Sequence, residues 1–380
     1  MRAVVLSDLH LGATAGTATD DAFVSFLEWL AERACPDAGP LRLILLGDLL
    51  DLLHAPAGVH DPLAALDAVA ARHRSALAGL GAAAARGIVV DLIPGNHDSE
   101  LVDPDLQERL RALVAHAADT SAALLRPTFR VRPWFLLVPG LLYAEHGSQY
   151  HALNAVGDPL APCGRWSPRL PPGAVLDLFG PATHGGRARA LPRLVPAALR
   201  ALARRGRTDA ATVASLHACA QEVGLTSDAV ADLRGLAEDS SVALLRNACA
   251  AVLGRGGHVE SRQQQAAVAV HKILAHEGQP VPVYVFGHTH RVAHCALHTD
   301  GARLLWFNGG AWTDGSYGFV EVDGRADGVV VRLCRWDPVA QSALTLSDPF
   351  LAPPSDAQEL APTTTGRSAG SRSADPAATP

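Results

Sequence analysis

Five short runs of branched apolar residues along the chain each end at polar residues of the kind that bind metals. Runs of this length that stop at or near glycine are typical of buried strands rather than helices. They lead into the segments Ser7–His10, Gly47–Asp51, Gly95–Asp98, Glu145–Gly147 and Gly287–His290. Because ligands bind outside the carboxyl ends of strands in open α/β sheets, we expect these five segments to meet at one rim.

Helical spacing of apolar residues fills the intervals between the first strands. Residues 20–33 repeat apolar side chains three and four positions apart, after an aspartate that can cap a helix. A longer alanine-rich pattern begins at Asp61-Pro62, reaches Arg86 and stops at Gly87. The alternation of strands and helices over residues 1–160 predicts a sheet with strongly parallel character.

The alternation of strands and helices breaks after residue 155. A stretch rich in proline and glycine comes first, helical patterns follow, and the last of these covers 259–276. We therefore predict that residues 156–279 form an α-helical insertion, or cap. The core would then be discontinuous and consist of residues 1–155 and 280–345.

The pattern changes again beyond His290. Apolar residues there alternate with polar ones between short turns, which predicts antiparallel strands and hairpins. Residues 351–380 are rich in Pro, Ala, Thr and Ser and have almost no large apolar side chains. We predict that they form a disordered tail.

Composition places the chain among compact, soluble enzymes. Of its 380 residues 48% are apolar and 18% charged, and the net charge of −6 argues against a general polyanion binder. The first strand begins too close to Met1 for a signal peptide, and no apolar stretch is long enough to span a membrane. Six scattered cysteines without a CxxC pair indicate reduced thiols. Together these features predict a cytoplasmic protein.

Taken in order, the five polar segments resemble the motifs of the calcineurin-like metallophosphoesterases. The matching residues are Asp8-x-His10, Gly47-Asp48-x-x-Asp51, Gly95-Asn96-His97-Asp98, His146-Gly147 and Gly287-His288-Thr289-His290. The resemblance spans about residues 1–155 and 280–330. It implies an α/β (α+β) fold in which a β-sandwich is flanked by helices, here with an α-helical cap insertion.

The resemblance also implies a centre of two divalent metal ions. One ion would be held by Asp8, His10 and His290, the other by Asn96, His146 and His288, and Asp48 would bridge them. Carboxylate, imidazole and amide ligands together suit Mn, Fe or Zn better than Mg. Such a centre would cleave a phosphoester or pyrophosphate bond by attack of a hydroxide that bridges the metals, without a protein nucleophile.

Further residues are candidates for catalysis and substrate binding. The resemblance implies that His97 lies beside the scissile phosphate, where it stabilises charge or protonates the leaving oxygen, and Asp98 could hold its imidazole charged and oriented. Asp51 is a candidate for orienting a ligand histidine. The substrate phosphate would contact Asn96, His97 and His151.

Some segments keep an ordinary interpretation beside the functional one. Asp8 and His10 taken alone could be a turn with a core histidine, and Gly95-Asn96 is common turn chemistry. The segment 308–312 either braces the site, as a similar segment does in the family, or is a plain tight turn. Only the joint occurrence of the five segments favours a metal site.

The cap contains a basic amphipathic segment. Between residues 178 and 208 there are seven arginines and no Asp or Glu. Three interpretations stay open for residues 187–207: a solvated cap face, a lid that collects anionic substrates, or contact with an anionic membrane surface or a lipid-linked substrate.

Three functions compete. The leading hypothesis is a cytoplasmic two-metal phosphohydrolase that acts on a small or lipid-linked phosphorylated substrate. The second is a Mn-dependent nuclease of the same family, which the acidic net charge and the lack of a strong nucleic-acid signal disfavour. The third is a non-catalytic scaffold, but such proteins typically lose metal ligands, and here every ligand position of the motifs is filled.

Overall fold

Strands and helices alternate through the first half of the chain, as the apolar periodicity predicted. The computed structural model describes residues 1–12, 18–34, 39–53, 62–151, 154–155, 259–313 and 315–352. The strands are β1 (Arg2–Leu6), β2 (Leu11–Gly12), β3 (Leu41–Leu46), β4 (Leu50–Asp51), β5 (Val89–Ile93), β6 (Phe129–Val131), β7 (Phe135–Val138), β8 (Leu142–Glu145), β9 (Val283–Phe286), β10 (Val292–Thr299), β11 (Ala302–Gly309), β12 (Gly318–Arg325), β13 (Gly328–Asp337), β14 (Ser342–Thr345) and β15 (Phe350–Ala352). The α-helices are α1 (Ala18–Glu32), α2 (Pro62–Arg72), α3 (Arg74–Ala85), α4 (Pro104–Ala117), α5 (Ala122–Leu125) and α6 (Val259–His276).

The first sheet has the order β14-β13-β12-β1-β3-β5-β6, and β15 also pairs with β13. Strands β1, β3, β5 and β6 are parallel neighbours, which confirms the predicted parallel character. The strands that follow the site complete this sheet on its other side, because β12 lies antiparallel to β1 and β13 antiparallel to β12.

The second sheet has the order β10-β11-β9-β8-β7. Strand β9 is parallel to both β8 and β11, whereas β10 and β7 are antiparallel to their neighbours. The five apolar runs found in the sequence therefore divide between two sheets: β1, β3 and β5 belong to the first, and β8 and β9 to the second. We had expected the five polar segments to follow strands of a single open sheet, and this expectation was wrong, because the strands come from two sheets.

The two sheets pack face to face. Alternate residues of the first sheet, among them Val5 and Ile44, point to the same buried apolar cluster as Val283 and Phe307 of the second sheet. This alternation follows from the two-residue period of a strand. The fold is thus a mixed α/β structure with two apposed sheets at its centre.

Helices cover the outer face of each sheet. Helices α1 to α5 pack on the first sheet around a large cluster in which Phe26 contacts the rings of Trp312, Phe319 and Trp336. Helix α6 covers the second sheet and begins and ends at the predicted residues, and its buried Ala267 belongs to a third cluster. No helix in the described ranges is both long and apolar enough to cross a membrane.

The predicted helix over residues 61–86 is two helices, α2 and α3, which meet at His73. The imidazole of His73 is fully buried, with Nδ1 2.7 Å from Asp20 Oδ1 and Nε2 2.8 Å from the carbonyl oxygen of Gly12. Both partners are acceptors, so both ring nitrogens carry protons. Burial works to lower the pKa of His73, but the bonds to Asp20 and Gly12 outweigh it and the pKa is raised.

We expect His73→Gln to destabilise the fold by about 3 kcal/mol at pH 6, because it leaves the buried Asp20 carboxylate without its charged partner. The pKa of His73 is higher in the folded state than its unfolded value of about 6.5. The stabilisation is therefore fully present below about pH 6.5 and is lost as the pH rises through the folded-state pKa. Urea unfolding at pH 6 and pH 9 measures it. If the loss of unfolding free energy in His73→Gln were larger at pH 9 than at pH 6, the charged His73–Asp20 pair would be contradicted. His276→Gln, at an exposed position, is the control.

Several predictions fall partly or wholly outside the described residues. These are the cap over residues 156–258 with its arginine segment 187–207, and the tail over residues 353–380. Leu351 and Ala352, which the tail prediction included, pair with β13 as part of β15. Two cysteines lie in the described ranges: both are unpaired, Cys334 buried and Cys295 half-buried.

Candidate metal centre

Five loops bring the predicted ligand residues to one end of the two sheets. Each loop directly follows a strand, so the strand's position in its sheet places the side chains. The residues are Asp8 and His10 after β1, Asp48 after β3, Asn96, His97 and Asp98 after β5, His146 after β8, and His288 and His290 after β9.

Asp8, His10 and His290 form the first ligand group. One side-chain N or O atom of each lies within 4.8 Å of those of the other two, a spacing that could hold a metal ion. The Nε2 atom of His290 lies 3.2 Å from Asp8 Oδ1 and 3.3 Å from His10 Nε2. These are the three residues that the sequence assigned to one metal.

Asp48, His146 and His288 form a second group with the same spacing. His146 Nε2 lies 3.3 Å from Asp48 Oδ2 and 3.3 Å from Asn96 Oδ1, so the Asn96 amide lies at this group too. Asp48 Oδ2 is also 3.7 Å from His10 Nε2 in the first group. Asp48 therefore touches both groups, and a further overlapping group contains His10, Asp48 and His97.

Two buried acceptor atoms fit a bound cation. Asp8 is fully buried, and its Oδ2 accepts a hydrogen bond of 3.0 Å from the backbone N–H of His288. Its Oδ1 accepts no hydrogen bond of good geometry, although His290 Nε2 is near. His146 Nδ1 lies 2.8 Å from the Leu46 carbonyl and so carries the proton, which leaves the Nε2 lone pair for a ligand. A divalent cation in each ligand group would satisfy these atoms, one at Asp8 and the other at His146.

The protonation states favour carboxylate ligands at Asp8 and Asp48 and a neutral imidazole ligand at His288. Burial raises the pKa of Asp8 and of Asp48, but the surrounding histidines outweigh it and the pKa of each is lowered. Burial, with the neighbouring charge of His146, lowers the pKa of His288 to about 3. His146 behaves differently: burial opposes its charge, yet Asp48 raises its pKa to about 10. Binding of a cation at His146 would therefore release a proton.

Left-handed backbone conformations concentrate at the ligand loops. Such angles are uncommon for residues other than glycine and cost on the order of 1–3 kcal/mol each. The affected residues, with their φ angles, are Asp8 (59°), His10 (48°), Asp48 (52°), His288 (72°) and His290 (56°). Hydrogen bonds hold two of these loops together, from Asp8 N to Gly47 O at 3.1 Å and from His10 N to Asp48 O at 2.9 Å.

Gly47 lets the loop after β3 approach the ring of His146. Its φ angle is +83°, and a Cβ atom added there would overlap the His146 imidazole. An alanine at this position would therefore push His146 away from Asp48, in addition to straining the backbone.

We expect Gly47→Ala to weaken metal binding at least about tenfold, since displaced or poorly oriented ligands typically cost that much. Calorimetric titration with Mn²⁺ measures the effect. Gly87→Ala is the matched control, because Gly87 has a φ of +90° but open space around it, so it isolates the backbone strain. Equal Mn²⁺ affinity in the two variants would contradict the close approach.

His97 lies at the edge of both groups. Its ring packs edge-on against His10 with centroids 4.5 Å apart, its backbone N–H donates to Asp48 Oδ1 at 2.8 Å, and its Nδ1 lies 3.1 Å from Asp51 Oδ1. Burial works to lower its pKa, but Asp51, Asp48 and Asp98 raise it to about 9. The imidazole is therefore cationic at neutral pH.

The predicted roles of Asp98 and Asp51 need correction. Asp98 Oδ1 accepts the backbone N–H of Gly95 at 2.7 Å and of Asp48 at 3.2 Å, and Oδ2 accepts that of Leu50 at 3.1 Å. Asp98 thus joins the loops after β3 and β5 and does not bond the His97 ring, but its charge helps to raise the pKa of His97, so the predicted support of the charged imidazole is confirmed. Asp51, expected to orient a ligand histidine, bonds His97 instead. Burial and Asp48 raise the pKa of Asp98 to about 6.

His151 lies beside a candidate ligand. Its Nδ1 is 3.1 Å from His288 Nε2, and burial lowers its pKa. Asn154, which the sequence did not single out, places its Nδ2 3.3 Å from the same His288 atom. Nothing in the local sequence around Asn154 marks it as a site residue.

Two amide side chains brace the loop after β9. Asn308 Nδ2 donates to Gly287 O at 2.8 Å, which favours the bracing interpretation of segment 308–312. Gln263 Nε2, from α6, donates to the same oxygen at 3.1 Å. Gln263 was not predicted from the sequence, although its place on the helix face that also carries the buried Ala267 and His271 was a usable signal.

Comparisons with known proteins add no assignment: no protein-family model matches the chain, and no curated protein matches it.

Proposed function

We propose that this protein is a metal-dependent phosphohydrolase of the calcineurin-like metallophosphoesterase type that cleaves phosphoester or pyrophosphate bonds with two divalent cations. The observation that carries the proposal is the position of Asp48. It is buried, and one of its oxygens lies 3.3 Å from His146 Nε2 and 3.7 Å from His10 Nε2, so it can serve two ligand groups at once. Two apposed sheets with helices outside them are also what the motif resemblance implies for the fold.

The ligand assignment follows from the two groups. Asp8, His10 and His290 would hold one cation, Asn96, His146 and His288 the other, and Asp48 both. Mixed oxygen and imidazole donors favour Mn, Fe or Zn. Bound there, two such cations would acidify a shared water and neutralise charge on the phosphoryl oxygens.

His97 supplies the proton chemistry in this proposal. Its imidazole is cationic at neutral pH and is held through Nδ1 by Asp51, so it can stabilise negative charge on the phosphate or protonate the leaving oxygen. Asp98 acts indirectly, because its bonds to Gly95 and Asp48 position the loop that carries His97. We therefore class Asp98 as a positioning residue.

The substrate is proposed only as a class: a small or lipid-linked molecule that carries a phosphoester or pyrophosphate. No described residue cluster favours nucleic acid, and the net charge of −6 disfavours it. A nuclease and a small-molecule phosphohydrolase would share the same metal centre, so the choice between them rests on substrate assays.

The direct test is a hydrolysis panel with Mn²⁺ before and after chelation. It includes bis(p-nitrophenyl) phosphate, p-nitrophenyl phosphate, nucleotides, sugar nucleotides, lipid phosphates, plasmid and oligonucleotides. We expect hydrolysis of small phosphates that chelator abolishes and Mn²⁺ restores. Full activity in metal-free, folded protein would contradict the proposal, and cleavage of DNA alone would favour the nuclease.

A further inference from the structure

The Nε2 atom of His288 has different neighbours from the Nε2 atoms of the other candidate ligand histidines. In His10, His146 and His290, Nε2 lies between 3.2 and 3.8 Å from a carboxylate oxygen of a ligand group. In these three residues Nε2 therefore faces the space that a cation would fill. In His288 it faces two side chains that belong to neither ligand group.

These two side chains are His151 and Asn154, which lie in the segment after β8. His151 Nδ1 is 3.1 Å and Asn154 Nδ2 3.3 Å from His288 Nε2, and both contacts have hydrogen-bond geometry. The backbone N–H of His151 donates to Ser148 O and that of Asn154 donates to His151 O, each at 2.9 Å. A helical turn places side chains three positions apart on the same side, so both reach one ring nitrogen.

Hydrogen bonds hold this turn in place on two sides. The hydroxyl of Tyr150 donates to Oε2 of the buried Glu145 at 3.1 Å, which ties the turn to β8. Arg262, from α6, donates through Nη1 to the carbonyl oxygen of Tyr150 at 3.4 Å. His151, the next residue, is therefore fixed relative to the second sheet and to α6.

The crowding at His288 Nε2 leaves its other ring nitrogen for a cation. A cation at Nε2 would lie in the direction from which His151 approaches, so His151 would be a ligand of the same ion. Among the residues that the structure describes, however, His151 belongs to no group of three ligand atoms within 4.8 Å, whereas His288 forms such a group with Asp48 and His146.

We propose that His151 and Asn154 orient His288, whose Nε2–H donates to them while its Nδ1 binds the second cation. The inference rests on the metal centre of the proposed function. Histidine ligands usually donate their second ring N–H to an acceptor, as His146 does through Nδ1 to the Leu46 carbonyl. The oxygen of the Asn154 amide accepts this bond after a 180° rotation of the amide, and the single proton is shared by the two acceptors.

His151 and Asn154 are positioning residues in this proposal, and neither touches the substrate. The sequence instead predicted that His151 contacts the substrate phosphate. The two roles differ in what they need from Asn154. Orientation of His288 needs an acceptor oxygen, whereas a phosphate contact needs the amide N–H.

The test is calorimetric titration of metal-free protein with Mn²⁺. We expect Asn154→Ala and His151→Ala each to weaken one of two Mn²⁺ equivalents about 10- to 100-fold, the usual cost of losing an orienting partner. Asn154→Asp keeps an acceptor oxygen and should bind both equivalents at least as tightly as the native protein. His298→Ala, at an exposed histidine of β10, is the control and should leave both equivalents unchanged.

A second titration measures the binding of methylphosphonate at saturating Mn²⁺, where we expect native affinity in Asn154→Ala. Unchanged Mn²⁺ binding in both alanine variants, with weakened methylphosphonate binding, would overturn the proposal and assign the pair to the substrate. Should His151→Ala fold poorly, the two Asn154 variants carry the test alone. Fewer than two Mn²⁺ equivalents in the native protein would instead contradict the proposed function itself.

Discussion

Asp48→Asn is expected to lower kcat/KM by at least about a thousandfold and to reduce bound metal from about two equivalents to one or fewer. The buried carboxylate lies between His10 and His146, and its negative charge would be shared by both cations. Asparagine keeps the shape and can still accept the His97 N–H, but it removes that charge. Loss of about 4 kcal/mol of transition-state stabilisation corresponds to a factor of about a thousand.

Elemental analysis and hydrolysis of bis(p-nitrophenyl) phosphate measure the two effects of Asp48→Asn. Asp67→Asn is the matched control, because it makes the same chemical change at an exposed carboxylate that pairs with Arg109 on the surface. Near-native turnover by Asp48→Asn with two metal equivalents would exclude the shared-ligand role.

The second large effect is expected at His97. His97→Ala should lower kcat about 10²- to 10⁴-fold, the usual contribution of a positioned acid or base, while the metal content stays near that of the native protein. The second half of this prediction is the sharper one. His97 also lies within ligand distance of His10 and Asp48, so it could itself be a metal ligand. Elemental analysis of His97→Ala distinguishes the two roles, because loss of a metal equivalent would show that His97 binds metal and would contradict the prediction.

The pH profile separates the acid role of His97 from a purely structural one. Asp51 helps to raise the pKa of His97 to about 9, so activity that needs the protonated ring should decline as the pH rises through the basic limb. Asp51→Asn removes that carboxylate, lowers the pKa and should move the basic limb to lower pH. An unchanged basic limb in Asp51→Asn would show that another group titrates there.

Much of the fold could be predicted because its signals are local. Short apolar runs that lead into polar segments gave the positions of β1, β3, β5, β8 and β9, and helical periodicity gave both ends of α6. The apolar runs could not predict which strand belongs to which of the two sheets, because a buried strand has the same apolar pattern in either sheet. The junction at His73 was also hidden, because the apolar spacing continues across it.

The candidate site, like the fold, could be predicted only in part. Residue types and motif order indicated which side chains would come together, but not which atoms would face each other. Asp51, 46 residues from His97 in sequence, bonds the His97 ring, whereas the adjacent Asp98 turns toward the backbone of Gly95 and Asp48. Adjacency in sequence suggested the opposite, because the relative placement of two loops is a property of the folded sheet.

The sequence also did not predict the strained backbone conformations of the ligand loops. Residues such as Asp8 and His288 adopt left-handed conformations that neither residue type prefers, and hydrogen bonds from neighbouring loops hold them there. Strain of this kind is found at functional sites, where surrounding structure enforces it. It is therefore independent support for a site at this position.

Anomalous diffraction from crystals grown with Mn²⁺ tests the central claim most directly. The account predicts two manganese peaks that share Asp48, one bound by Asp8, His10 and His290 and the other by Asn96, His146 and His288. A single peak, or two peaks that do not share Asp48, would contradict it.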